Sequence, residues 1–179
     1  MNDGDFMRSL KRIAAILFCV VALIGALLVV VSVSSRPPKQ SKITSDFGAH
    51  RTAYEQLRKM LLDDKGVDVV APWGVLTNDS PISKMPPDGG MPIKRYQEYL
   101  ALLKETGASA AAQMKEPPET RFLVWGSGFA GDTRHVAVSW LDRVPSNTMA
   151  SLEAFYRTPK PRNPAYIHIE GNWYIWADW

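Results

Sequence analysis

The sequence is poor in the residues that most often carry chemistry. It contains one cysteine, Cys19, and three histidines among 179 residues. With one cysteine the chain cannot form an internal disulfide, so cysteine usage does not indicate the redox state of its compartment. The histidines have no acidic residues or thiols at the spacing that a metal ion requires. The sequence therefore predicts no metal site, no cofactor and no enzymatic activity.

The C-terminal part of the chain also lacks a surplus of basic residues. The net charge of +3 arises before Ile43, and from Ile43 onward acidic and basic side chains nearly balance. The early basic residues are Arg8, Lys11, Arg12, Arg36, Lys39 and Lys42. A domain without a basic surplus is a poor candidate for binding nucleic acid. Basic residues that flank an apolar segment instead suit anionic lipid headgroups.

Charged side chains are absent from residues 13–33, which read IAAILFCVVALIGALLVVVSV. A helix of this length would cross a hydrocarbon core of about 30 Å. We expect a retained single transmembrane anchor in a bacterial inner membrane, with residues 1–12 as a short cytoplasmic tail. Ser32-Val33-Ser34 offers a small-x-small cleavage pattern, so a removed signal peptide stays open as the alternative. Residues 34–45 are polar and contain two adjacent prolines, which predicts a linker.

The remainder, residues 46–179, is predicted to be one periplasmic α+β domain with an antiparallel sheet of about five strands and two to three helices. Apolar residues at three- and four-residue steps predict helices over 46–64 and 93–106, and a short helix near residues 149–155. Strands are predicted over 67–71, 121–125, 136–141, 165–170 and 173–179, and a continuation of the first strand through Pro72 to residue 77 stays open. Four prolines and two glycines make residues 78–92 a predicted long surface loop.

The last two strands form the clearest local pattern. Gly171-Asn172 between two apolar runs predicts a tight hairpin. A two-residue turn would pair Glu170 with Trp173, His168 with Ile175 and Ile167 with Trp176. The segment YIHIEGNWYIW resembles the final strands of NTF2-like domains. That resemblance implies a sheet-and-helix domain of the kind also found in periplasmic secretion components.

Two motifs suggest chemistry that their context excludes. Residues 126–131 spell G-x-G-x-x-G, but a dinucleotide site needs a helix to follow, and the next residues alternate like a strand. Ser127 lies between glycines, but at the wrong spacing for a nucleophile elbow. His168 and Glu170 could share a strand face and meet a third metal ligand, but we expect an ordinary polar sheet face there.

The aromatic residues of the hairpin are the candidate site. We expect the partner-binding residues to be Tyr166, His168, Trp173, Ile175 and Trp179, provided that no helix covers them; burial beneath the domain's own helices is the open alternative. The predicted function is binding of a partner protein without catalysis, and one candidate role is that of an immunity protein against a toxin that acts in the envelope. The alternatives are a component of a secretion or envelope assembly, and a small-ligand binder or enzyme with an aromatic pocket.

Overall fold

The computed structural model describes residues 36–116, 118–127, 133–159 and 163–179. The predicted anchor, residues 13–33, lies outside these ranges. No helix within the described ranges is both long and apolar enough to span a membrane. The described residues form four helices and eight strands.

The helices are α1 (Gln40–Ala49), α2 (Arg51–Asp63), α3 (Ile93–Thr106) and α4 (Leu152–Arg157). The strands are β1 (Val67–Ala71), β2 (Gly74–Thr77), β3 (Ser80–Lys84), β4 (Ala110–Lys115), β5 (Pro118–Ser127), β6 (Arg134–Leu141), β7 (Ala165–Glu170) and β8 (Trp173–Asp178). All eight strands belong to one antiparallel sheet in the order β3-β2-β1-β4-β5-β6-β8-β7.

The prediction of about five strands and two to three helices was therefore wrong. Strand β3 lies within the segment predicted to be a loop, because Asn78-Asp79 forms a two-residue turn and Thr77 pairs with Ser80. Strand β4 begins in an alanine-rich segment with little intrinsic strand preference. It forms because its backbone pairs with β1 on one side and β5 on the other, and such tertiary pairing overrides propensity. Residues 67–77 form two strands joined by a turn at Pro72-Trp73.

The helices follow the sequence pattern more closely. The predicted bounds of α3 were correct, and Gly107 ends this helix with a φ of +69°, a conformation that glycine adopts without steric cost. The helix predicted over 46–64 is broken at His50 into α1 and α2. It also begins earlier, at Gln40, because Ile43 and Phe47 lie one turn apart and both are buried.

The main core lies between the helices and one face of the sheet. Trp173 is at its centre, with ring centroids 5.1 Å from Phe47, 6.1 Å from Tyr54 and 6.1 Å from Phe122. The indole nitrogen of Trp173 donates a hydrogen bond of 3.1 Å to Glu55. This arrangement joins both N-terminal helices to the middle of the sheet.

The terminal hairpin contains an irregularity that the sequence did not reveal. Glu170 pairs with Trp173 as predicted, but His168 pairs with Tyr174, and Ile167 pairs with Ile175. The register shift leaves Ile169 as the extra residue of a β-bulge, and a bulge changes which side chains share a face. As a result Ile167 and Ile175 pack in the main core, whereas Tyr166, Tyr174 and Trp176 join a second cluster.

Replacing Trp173 with alanine should destabilise the protein by about 3–5 kcal/mol, because a buried aromatic side chain is replaced by a cavity. The matched control is Trp73→Ala, since Trp73 is exposed and should cost less than about 0.5 kcal/mol. Urea unfolding of the full-length protein, followed by far-UV circular dichroism, measures both variants. Equal stability losses in the two variants would contradict the placement of Trp173.

Candidate functional site

The sheet has a second face that carries its own apolar cluster. The cluster consists of Ala137, Leu141, Tyr166, Tyr174 and Trp176, all from strands. The buried apolar residues of the four helices all belong to the other, larger cluster. We call the face that carries the strand-only cluster the outer face.

An ion pair is buried on the outer face. Glu119 and Arg121 lie two residues apart on β5 and therefore point to the same side of the sheet. The Arg121 guanidinium donates two hydrogen bonds to the Glu119 carboxylate, from Nε at 2.7 Å and from Nη2 at 2.6 Å. Glu119 is only 1% exposed. A carboxylate at this depth is stable only because a bidentate partner compensates its charge.

Tyr166 completes this cluster from the far edge of the sheet. Its hydroxyl donates a hydrogen bond of 2.8 Å to Glu119 and accepts one of 3.3 Å from Arg121. Tyr166 is on β7 and Glu119 on β5, with β6 and β8 between these strands. The three residues therefore join β5 to β7 across the outer face.

Two further polar groups lie beside the ion pair. The guanidinium of Arg121 stacks on the Trp176 ring, 4.0 Å from its centroid, which is the geometry of a cation–π contact. The Ser139 hydroxyl and the Trp176 indole nitrogen are buried, and neither has a hydrogen-bond partner among the described residues. The outer face thus combines a compensated ion pair with unused hydrogen-bonding capacity.

Burial controls the protonation of these groups. Burial raises the pKa of Tyr166 to about 12, and the negative charge of Glu119 acts in the same direction. Burial opposes the charge of Arg121, but the hydrogen bonds and charge of Glu119 outweigh this effect and raise the pKa of Arg121 above its usual value. Tyr166 therefore stays protonated, and Arg121 stays charged, across the physiological range.

The segment after β6 forms two clefts on the outer face. One cleft, of about 610 Å³, lies against Arg121, Arg143 and Tyr166. The other, of about 540 Å³, lies against His168, Tyr174 and the same segment. Val144 lines both clefts and is 77% exposed.

Backbone pairing to the sheet edge holds this segment in place. The Met149 amide donates to the Tyr166 carbonyl at 2.8 Å, and the Tyr166 amide donates to the Asn147 carbonyl at 3.1 Å. Residues 147–149 therefore extend the sheet beyond β7 and cover its edge. Val144 therefore belongs to a segment that is hydrogen-bonded to β7 through residues 147–149.

The structure divides the predicted partner-binding residues between the two sides of the sheet. Trp173 and Ile175 lie in the main core beneath the helices. Tyr166 and His168 line the clefts of the outer face, one in each. Trp179 is half-buried and stacks on Phe155 of α4, with 5.5 Å between ring centroids. The alternative of burial beneath the helices thus applies to Trp173 and Ile175, whereas a role of the five residues in partner binding remains a prediction.

The candidate chemical motifs of the sequence lie at different places in the sheet, and His168 is the one that lines a cleft. The His168 ring lies 3.0 Å from the Gly171 carbonyl. Strand β6 begins at Arg134, so a strand follows the glycine-rich segment, as predicted, although residues 128–132 lie outside the described ranges. Within the described ranges, no group of three or more His, Cys, Asp or Glu side chains could hold a metal ion.

Sequence reasoning missed Glu119 and Arg121. Both lie just before or at the start of the strand that was predicted over residues 121–125, and alternation there is also typical of a solvated sheet face. The sequence feature that could have indicated this ion pair is Glu-x-Arg, because residues two apart on a strand share one face and the strand that follows is apolar. Only the tertiary contacts from Tyr166 and Trp176 show that the pair is buried.

Comparison with known proteins does not assign the site. No protein-family model matches the chain, and neither a curated protein nor a solved structure matches it.

Replacing Arg121 with methionine should destabilise the protein by about 3–5 kcal/mol, because the Glu119 carboxylate stays buried without its partner. The double variant Glu119→Met/Arg121→Met should be more stable than Arg121→Met alone, since it removes both charges. Urea unfolding of the wild type, Glu119→Met, Arg121→Met and the double variant completes a double-mutant cycle. A double variant that is less stable than Arg121→Met would show that Arg121 does not compensate a buried charge.

The raised pKa of Tyr166 predicts a loss of stability at alkaline pH. The ordinary tyrosine pKa of 10.0 applies to the unfolded chain, and the folded value is about 12. As the pH rises through this interval, the unfolded chain loses a proton that the folded protein retains, so the free energy of unfolding falls. Tyr166→Phe removes this contribution. In urea unfolding experiments, the difference in free energy of unfolding between the wild type and Tyr166→Phe should narrow from pH 10 to 12. A constant difference over this range would contradict the raised pKa of Tyr166.

Proposed function

We propose that residues 36–179 form a non-catalytic domain that binds a partner protein through the outer face. The observation that supports this most directly is the position of Val144, an exposed apolar side chain between two clefts. Interfaces commonly have an apolar centre surrounded by polar groups. Arg143 and Glu116 supply charged groups at the rim of the larger cleft.

The scaffold beneath these clefts supports a binding role. The floor of the larger cleft includes Arg121 and Tyr166, and both are fixed by hydrogen bonds to the buried Glu119. A binding surface whose side chains are already ordered loses less conformational entropy on association. The unpartnered groups of Ser139 and Trp176 lie in the same layer. The outer face therefore resembles a preorganised contact surface more than a solvated sheet face.

The cellular setting follows from the N-terminal sequence. Residues 13–33 contain no charged side chain, which favours attachment to the bacterial inner membrane with the domain in the periplasm. In that setting the protein would act as an immunity protein that neutralises an envelope-acting toxin. A component of a secretion or envelope assembly is the second candidate, favoured by the resemblance of the final hairpin to NTF2-like domains.

Site-specific photo-crosslinking in the native cells tests this proposal. A photoreactive amino acid at position 144 of the full-length protein should capture a partner protein, and the same group at Ile82, which is exposed on β3, should not. Adding Arg143→Glu should weaken the capture at position 144. Capture of one toxin encoded beside this gene favours immunity, and capture of several membrane proteins favours an assembly. Equal products from positions 144 and 82 would contradict the outer face as the contact surface.

A further inference from the structure

One end of the sheet gathers the first described residues of the chain and several strand ends. Ala71 pairs with Gly74 at the β1–β2 turn, Ala110 of β4 pairs with Leu123, and Ser127 pairs with Arg134. Because the strands are antiparallel, these pairs lie at one end of the sheet. We call it the proximal end.

The chain enters the domain at the proximal end. The Pro38 carbonyl accepts a hydrogen bond of 3.0 Å from the Tyr156 hydroxyl. The Tyr156 ring packs against Trp179, which follows the last residue of β8, with centroids 5.6 Å apart. In addition, Pro38 lines a small cavity together with Gly107 and Val124, which are also at this end. Pro38, near the start of the described chain, therefore lies at the proximal end.

Three large apolar side chains are exposed near this end. Trp73 is in the β1–β2 turn and is 55% exposed, Met85 follows β3 and is 55% exposed, and Ile93 begins α3 and is 53% exposed. Tyr96 connects them, since its hydroxyl donates to the Ala71 carbonyl at 2.8 Å and lies 3.9 Å from the Met85 sulfur. Ile93 lies three residues before Tyr96 and so on the same side of α3. We call Trp73, Met85 and Ile93 the proximal patch.

The charged residues that flank Met85 and Ile93 in the sequence are mainly basic. Lys84 and Lys94 flank Met85 and Ile93 in sequence, and both are exposed. Asp88 is the one acidic residue between them in the sequence. Arg36 and Lys39 add positive charge where the chain enters the domain. Exposed tryptophan and aliphatic side chains next to lysines are typical of surfaces at the level of lipid headgroups.

We infer that the proximal end rests on the surface of an anionic bilayer, with the proximal patch at headgroup level and Lys84 and Lys94 beside lipid phosphates. This inference rests on the proposed attachment through residues 13–33, which would hold the domain close to a membrane. Two independent features therefore indicate lipid contact at the proximal end. The chain enters the domain there, and apolar and basic side chains are exposed there.

This orientation separates lipid contact from partner binding. Val144 follows Leu141, whose amide bonds to Asn172 in the β7–β8 turn, at the other end of the sheet. With the proximal end on the bilayer, Val144 would lie toward the end of the sheet that is farther from the lipid. A partner could then reach the clefts beside Val144 while the domain stays on the membrane.

Lipid quenching of a fluorescent label tests the inference on the full-length protein. Cys19→Ala removes the natural thiol, and either Ile93→Cys or Val144→Cys supplies one labelling position. Each labelled protein is reconstituted into vesicles of phosphatidylglycerol and phosphatidylcholine with brominated acyl chains. We expect fluorescence to be lost at position 93 and retained at position 144. Trp73→Ala, and separately Lys84→Glu/Lys94→Glu, should reduce the loss at position 93.

The possible outcomes separate this inference from the proposed function. Protein that does not float with the vesicles contradicts the membrane attachment, and the inference with it. Protein that floats but shows equal quenching at positions 93 and 144 overturns the inference alone. Crosslinking between two copies through position 93, without quenching, would instead show that the proximal patch is a contact between protein chains. Circular dichroism of each variant confirms that a change in quenching does not arise from unfolding.

Discussion

The buried charge of Glu119 constrains the architecture more than any other single group. A carboxylate that is excluded from water must be compensated, and here Arg121 and Tyr166 do so together. Because Tyr166 comes from β7, and β8 and β6 lie between β7 and β5, its hydrogen bond to Glu119 joins strands that are not neighbours in the sheet. The segment after β6 lines the two clefts on the same face.

The two faces of the sheet are stabilised by different interactions. The helix-covered face is aromatic and apolar, and Trp173 contacts Phe47, Tyr54 and Phe122 there. The outer face combines a smaller apolar cluster with an ion pair and a cation–π contact. The bulge at Ile169 connects these arrangements, because it directs Ile167 and Ile175 into the main core and Tyr166 and Trp176 to the outer face.

The ends of the sheet also differ in chemistry. The end where the chain enters exposes Trp73, Met85 and Ile93 beside lysines. Val144, which comes shortly after the opposite end of β6, is exposed between the clefts of the outer face. These differences are the basis of the proposed lipid contact at the first end and of the proposed partner contact at the outer face.

The sequence by itself determined the elements whose signals are local: helix α3 with its glycine stop, the pairs of long strands, and the turn at Gly171-Asn172. Periodicity and turn chemistry depend on neighbouring residues, so one sequence suffices to read them. Tertiary structure alone decided that an alanine-rich segment becomes β4, that Ile169 bulges and that Glu119 is buried. Each of these depends on partners distant in the chain, and a one-residue shift in register moves a side chain to the opposite face.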